Sequence, residues 1–432
     1  MKKFIMPYVA RVLSSPGLRS IKRKAYSLRR KLSGQPLKLE IFLRLDDPYS
    51  YLLVQVLPGL LQRFEIEAKF YTVLDLQQEM YPALQMSQQY AGQDARHLAK
   101  LYDLEAPLLP SIEDRNLLEQ ASARLVAAEG RTDYLALAAV MFKQVWHGES
   151  KLNTEKKYTA DKYSAQRLQQ NQQRLKDQGH YYAAMIYCEG EWYWGLDRLD
   201  HLEQRLISRG LAKHAAETVQ FNRSYINFCS TQPVIKNKRE VKPLIIYWSA
   251  RSPYSYIGLE RAVKLAEHYK IPLQIKPVLP MMMREMYVPP VKAMYIFLDT
   301  KREAEKLGLP YGFVADPLGV AVERCYALLT YAEAENKLQP YLLSFARGVN
   351  AEGIRADTGA GLEKIVQRCG LDWRKAKAYI SDSSWRPVVE ENLRAMFDQG
   401  CWGVPSFSYG EHSFWGQDRL GLIEQAVLAE MT

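Results

Sequence analysis

The chain has 432 residues, 47% of them hydrophobic and 25% charged, enough for two or three domains with their own cores. No window offers the roughly 18 uninterrupted apolar residues that a membrane span needs. The formal charge of +10 is confined to one place: residues 1–34 hold ten Lys and Arg and no acid, and the remainder is balanced. The pI of about 9.1 therefore describes an arm and does not mark the body as nucleic-acid binding.

The arm, residues 1–36, reads as a solvated basic tail or helix. Its segment FIMPYVARVL mixes apolar and basic residues, so a surface helix on anionic lipid is the alternative. Pro7 and Arg11 interrupt an already short apolar run, which argues against a signal peptide. LEIFLRLDD (39–47) is apolar, β-branched and aromatic enough for a strand. PYSY (48–51) leads into an amphipathic helix over about 50–63, and IEAKFYTVL (66–74) reads as a second strand. Leu/Ala periodicity with charged faces predicts helices over about 80–175. WGLDRL (194–199) ends the pass after two short strands.

The polar stretch STQPVIKNKREVKP (230–243) is the expected linker, and after it the pattern begins again. LIIYWSARS (244–252) is a strand, PYSY recurs at 253–256 before a helix over 255–269, and IPLQIKPVL (271–279) is the second strand. Helices follow over 285–398. Two short strands around a turn (VPSFSY–GEH–SFWG) lead to WGQDRL (415–420) and a last helix over 418–430. The first landmark repeats at an offset of 205 residues and the second at 221, in the same order. The expectation is a duplicated domain, spanning 37–229 and 244–432. β–α–β, a helical insert, then β–β–α is the thioredoxin order, so the predicted class is α/β with two tandem thioredoxin-like domains, each carrying an inserted helical subdomain.

Five cysteines (Cys188, Cys229, Cys325, Cys369, Cys401) are widely spaced and form no CxxC, which points to a reducing, cytoplasmic setting and not to a disulfide scaffold. Seven histidines form no cluster with metal-ligand spacing, so no metal is expected. ADTGA (356–360) resembles an aspartic-protease signature, but GLEKIVQRC after it is helical, and Asp357 or Thr358 reads as a helix cap.

Three elements of the second pass carry chemistry. Ser252 precedes Pro253 where a strand meets a helix. The unpaired N–H groups of a helix start favour an anion there, including a thiolate, to which a hydroxyl can donate; the plain alternative is an N-cap. In GCWGVPSF (400–407), Val404-Pro405 opens a strand and suggests a cis turn whose backbone can pair with an extended peptide. Asp418 in WGQDRL can cap the last helix or hold a ligand's ammonium. Tyr254, Tyr256, Trp402 and Trp415 are candidates for lining an apolar substrate pocket.

Residues 243–430, through SPYSY (252–256), PPVKAMYIFLDTKREAEKLGLP (289–310), GVPSF (403–407) and FWGQDRL (414–420), resemble the 2-hydroxychromene-2-carboxylate isomerases and kappa-class glutathione transferases of the DsbA-like thioredoxin superfamily. The resemblance implies glutathione as cofactor and Ser252 as the catalytic serine that stabilises its thiolate. It implies that Lys292 contacts glutathione, that Val404 before cis-Pro405 pairs with its backbone, and that Gln417 and Asp418 bind its γ-glutamyl end. The implied activity is isomerisation of, or transfer to, a small apolar or aromatic electrophile. The first pass departs from this pattern: Asp47 stands at the position of Ser252, Ala184 at that of Pro405 and Ser87 at that of Lys292. A carboxylate in that place repels a thiolate, so the first domain is expected to be a degenerate copy. The competing reading is a non-catalytic glutathione- or partner-binding scaffold held at a membrane surface by residues 1–34, with no nucleic acid as partner and a homo-oligomer as a further option.

Overall fold

The computed structural model describes residues 2–75, 77–149, 162–231 and 242–431. Most of the expected linker, 232–241, lies outside the described residues. The chain forms two compact units, residues 20–223 and residues 1–19 with 224–432. The basic arm is two helices, α1 (Lys2–Leu13) and α2 (Pro16–Leu32). No described helix is long and apolar enough to cross a membrane.

In the unit of residues 20–223, β1 (Lys38–Leu43) leads into α3 (Pro48–Arg63) and β2 (Glu67–Thr72). Among the described residues the helices α4 (Leu84–Tyr102), α5 (Arg115–Ala127), α6 (Tyr134–Trp146) and α7 (Ser164–Asp177) follow. β3 (Met185–Cys188), β4 (Glu191–Trp194) and α8 (Leu199–Ser208) close the unit. The sheet order is β2-β1-β3-β4, with β1 parallel to β2 and the other pairs antiparallel. β1 lies in the interior of the sheet, so Leu39, Ile41, Phe42 and Leu43 are all fully buried.

The second unit repeats this order. A four-residue helix α9 (Arg223–Ile226) crosses the boundary between the units. Then come β5 (Leu244–Trp248), α10 (Pro253–Tyr269), β6 (Leu273–Pro277) and α11 (Pro290–Lys306). The rest of the insert is α12 (Val320–Ala327), α13 (Leu329–Ala334), α14 (Leu338–Ala351), α15 (Gly359–Arg368), α16 (Trp373–Ala376) and α17 (Trp385–Asp398). β7 (Ser406–Tyr409), β8 (His412–Trp415) and α18 (Leu420–Met431) complete it. The sheet order is β6-β5-β7-β8 with the same directions. The registers correspond as well. Ile41 faces Ile186 in one sheet and Ile246 faces Phe407 in the other, at the two offsets found in the sequence.

Both first strands stop earlier than their apolar runs suggest. A turn follows, closed by Asp47 N–H to the Arg44 carbonyl at 3.1 Å and by Ser252 N–H to the Ser249 carbonyl at 3.1 Å. The turn delivers an N-cap residue in extended conformation, and Pro48 or Pro253 starts the helix, where a missing N–H leaves nothing unpaired. The last helix begins at Leu420, after a tight turn over Gln417–Arg419. Thr358 caps α15, its Oγ1 accepting from Gly361 N–H at 3.1 Å, which disposes of the protease-like reading of that stretch.

Candidate active site

Ser252 caps α10: its Oγ accepts from the Ser255 N–H at 3.2 Å and lies 3.5 Å from the Val404 carbonyl oxygen, to which it donates. The two segments that the sequence placed 152 residues apart therefore meet at the positive end of a 17-residue helix. The Val404-Pro405 peptide is cis. The fit is close because Gly258 faces it: a Cβ at Gly258 would lie 3.0 Å from Pro405 Cγ and 3.0 Å from the Phe407 ring. The Pro405 carbonyl accepts from Gly416 N–H at 2.8 Å, and the Ser406 hydroxyl donates to the Gly403 carbonyl at 2.6 Å. Val404 is half-buried, and its N–H has no hydrogen-bond partner among the described residues. An unpaired backbone donor at the mouth of a cis turn is what an added extended peptide requires.

Aromatic residues flank this turn. The Trp402 and Trp415 rings are 4.6 Å apart, and a Cβ on Gly403 would come within 2.9 Å of Trp415 Nε1. Tyr254 is half-buried and donates to Asp299 of α11 at 2.6 Å; Asp299 also pairs with Arg302 at 2.7 Å. Lys292, in the first turn of α11, is buried, and burial alone pulls its ammonium down to about 8. Beside Ser252, Arg251 makes a two-pronged pair with Asp316 at 2.8 Å and turns its other nitrogen to the Met282 sulfur at 3.1 Å.

Two expectations change. Tyr256 is 1% exposed and donates to the Pro310 carbonyl at 2.9 Å, so it is a core residue and lines no pocket. Gln417 is 1% exposed and engaged inside: its Oε1 accepts from Arg261 at 2.7 Å, and its amide nitrogen donates to Glu303 at 2.9 Å and Asp418 at 2.8 Å. A buried amide has to be satisfied from within the protein, and this one is. Asp418 remains half-buried, and its Oδ1 also accepts from the Tyr225 hydroxyl. The same hydroxyl of Tyr225, from the segment just before the linker, lies 2.7 Å from Glu303 Oε2, so one proton is shared between the two carboxylates. The Tyr225 ring lies under Lys306 Nζ at 3.5 Å and Arg261 at 4.8 Å. Nothing in the sequence patterns singled out Tyr225.

No cysteine stands at either helix start, and the thiols sit elsewhere. Burial pushes Cys188 and Cys229 up to about 11 and raises Cys325 and Cys369 as well, so these are poor nucleophiles. Cys401 is 1% exposed beside the cis turn. Among the described residues no His/Cys/Asp/Glu group could hold a metal ion.

The corresponding place in the unit of residues 20–223 is closed with its own side chains. Asp47 accepts from the Ser50 N–H at 2.9 Å and the Ser50 hydroxyl at 2.6 Å. Burial raises its carboxyl above the usual range, against the pull of Arg44 and of these two donors. Arg44 is itself paired with Asp46. Ala184 replaces the proline in a left-handed conformation (φ 53°), and its N–H goes to Ser50 Oγ at 3.1 Å. Tyr81 meets Tyr182 at 5.5 Å, and Tyr182 stacks on Trp194 at 5.7 Å.

Residues 243–428 match the family model described as DSBA-like thioredoxin domain, a span wholly within the second unit. A 2-hydroxychromene-2-carboxylate isomerase of Pseudomonas putida is 25% identical over 189 residues, covering 42% of this chain and 92% of that protein. One of Sphingobium xenophagum is 23% identical over 198 residues, covering 43% of this chain and 98% of that one. Among solved structures, a selenomethionine form of a 2-hydroxychromene-2-carboxylate isomerase aligns with a TM-score of 0.38 at 25% identity, over 43% of this chain and 93% of that one. The C-terminal half of the chain therefore matches the DsbA-like thioredoxin domain in fold and is similar to the 2-hydroxychromene-2-carboxylate isomerases.

Proposed function

We propose that the C-terminal unit is a glutathione-dependent isomerase or transferase acting on a small apolar or aromatic electrophile. The observation that carries this reading is the meeting of the Ser252 hydroxyl, at the start of α10, with Val404, whose N–H is unpaired, beside a cis proline. These groups fit a γ-glutamyl tripeptide: a backbone donor for its extended chain, and a hydroxyl with a helix N-terminus for its sulfur. When bound, glutathione supplies a thiolate that attacks an electrophilic carbon; an isomerase gives the thiol back and a transferase leaves it on the product.

Ser252 has a defined task in this scheme. It donates its proton in a hydrogen bond to the sulfur while the helix start favours negative charge, so both effects lower the thiol pKa. The Val404 backbone orients the tripeptide. Lys292, with its ammonium held near 8, is charged through most of the neutral range and suits a carboxylate of the ligand. Trp402 and Trp415 provide the apolar wall for the electrophile. The enzyme assignment draws on relatives named as isomerases. We propose in addition that the unit of residues 20–223 is a degenerate second copy of this domain, on the strength of its identical sheet order and register offsets.

One observation favours the scaffold reading. The Tyr225 hydroxyl occupies the Asp418 carboxylate that the γ-glutamyl ammonium would need. Retention on immobilised glutathione separates the enzyme reading from a scaffold that binds no glutathione. The enzyme reading predicts retention that free glutathione reverses and that Ser252→Ala weakens. Passage of the intact protein straight through the column contradicts it.

A further inference from the structure

Helix α2 is mounted the wrong way round for a helix in water. Its inward side carries Arg23, Tyr26 and Arg30, which meet the tight β3–β4 turn of their own unit. Arg23 makes a two-pronged pair with Glu191 at 2.6 and 2.7 Å, and Arg30 reaches Glu189 at 3.0 Å. Tyr26 packs on Gly190, where a Cβ would lie 2.7 Å from its ring. The opposite side presents Ile21, Leu28 and Leu32, which are 65%, 60% and 81% exposed. No residue of α2 is buried. At 100° per residue these apolar side chains point about 140° to 200° away from the arginine face. Lys22, Lys24, Arg29 and Lys31 fall between the two faces, on both flanks of the apolar stripe. All four are exposed and make no ion pair with a described residue.

A soluble protein ordinarily turns the apolar stripe of a surface helix toward its core and the charges outward. Here the ion pairs fix the opposite orientation. A stripe of large apolar residues bordered by unpaired bases fits a helix lying in the plane of a bilayer, with long basic side chains reaching up to the headgroups. α1 shows the same disposition independently: Ile5, Met6 and Val12 are 53%, 56% and 61% exposed, while Pro7 is buried and Ser14, just after the helix, is buried with its Oγ 3.4 Å from the Gly312 carbonyl oxygen.

We infer that the outward face of α2 is a docking surface for anionic lipid, entered by Ile21, Leu28 and Leu32 and held by the flanking bases. Charge complementarity selects this occupant. The arm has ten bases and no acid, so a second copy of it is repelled, whereas an anionic leaflet attracts each exposed base.

The test is co-sedimentation of the full chain with phosphatidylcholine vesicles containing about a third phosphatidylserine, against vesicles of phosphatidylcholine alone. The proposal expects binding to the anionic vesicles, weakened by added salt and by neutral lipid, and reduced roughly tenfold in Leu28→Glu/Leu32→Glu. Both leucines touch solvent, so that variant keeps its fold, checked by an unchanged thermal transition. Absence of binding at low salt overturns the proposal. So does binding that the double variant leaves intact, because charge alone then accounts for it. A self-association lost in the double variant without any vesicle binding overturns it in favour of a second copy.

Discussion

The proposed thiolate site depends on which partner each polar atom already has. Ser252 Oγ has one backbone donor and one carbonyl in reach, an arrangement that leaves its proton free to turn from Val404 toward a sulfur. Asp418 is more committed, since the Tyr225 hydroxyl and the Gln417 amide both lie on Oδ1. Tyr225→Phe removes that hydroxyl and leaves the ring under Lys306. If Asp418 takes the γ-glutamyl ammonium, this variant binds glutathione roughly three- to tenfold more tightly, the value of one hydrogen bond no longer in competition. Unchanged or weaker binding by isothermal calorimetry places the ammonium elsewhere. The Ser252–Val404 meeting was legible in the sequence because an N-cap before proline and a valine before proline each leave a local mark. Tyr225 was not: its bond to Asp418 spans 193 residues and obeys no period. Gln417 was misread for a related reason. Sequence alone gives a polar side chain its chemistry but not the side of the turn on which Arg261 and Glu303 wait.

At the level of elements, the same hinge is built twice: a central strand, a turn closed by one backbone bond, an N-cap and a proline at the first helical position. Alternation and apolar runs predicted these elements to within a few residues, since helix starts and buried strands follow local rules. What the runs overstate is strand length, because an apolar residue in the turn after a central strand is also buried; Leu45 and Ala250 are such residues. In the unit of residues 20–223 the edge strand β2 is tied to the helical insert by Glu129. Its Oε1 accepts from the Thr72 N–H at 2.7 Å and the Asn171 amide at 2.8 Å. Burial raises this carboxyl to about 7, the backbone and amide donors pulling the other way. The folded state thus holds a proton that the unfolded chain has lost, and stability falls as pH rises from about 4.5 to about 7. Glu129→Gln keeps both acceptor contacts and removes the charge. It is expected to stabilise the protein at pH 8 by roughly 1–3 kcal/mol and to have little effect at pH 4, read from denaturant midpoints at the two pH values. A loss of stability at pH 8 contradicts the burial argument.

Over the whole chain, one sheet order occurs in both units, with different side chains at the start of the first helix. The C-terminal unit has a hydroxyl at its helix start, facing a cis proline and a backbone donor with no partner among the described residues. The other unit has placed a carboxylate, an alanine and a file of aromatic rings at the corresponding positions. The two short motifs that recur in the sequence pointed to the shared sheet order, because their spacing follows the order of the elements. The division of the arm was not visible: α1 belongs with the C-terminal unit, where Tyr8 meets Phe313 at 5.1 Å and Arg11 lies 5.4 Å from the same ring. Such contacts depend on tertiary packing and leave no periodic trace.

The most direct measurement is calorimetric titration of reduced glutathione into the intact protein and into Ser252→Ala, with the pKa of the bound thiol followed by thiolate absorbance. The account predicts binding to both, with a depressed thiol pKa that rises by on the order of one unit when the hydroxyl is lost. No binding at millimolar glutathione, or a bound thiol with the pKa it has in water, would contradict it.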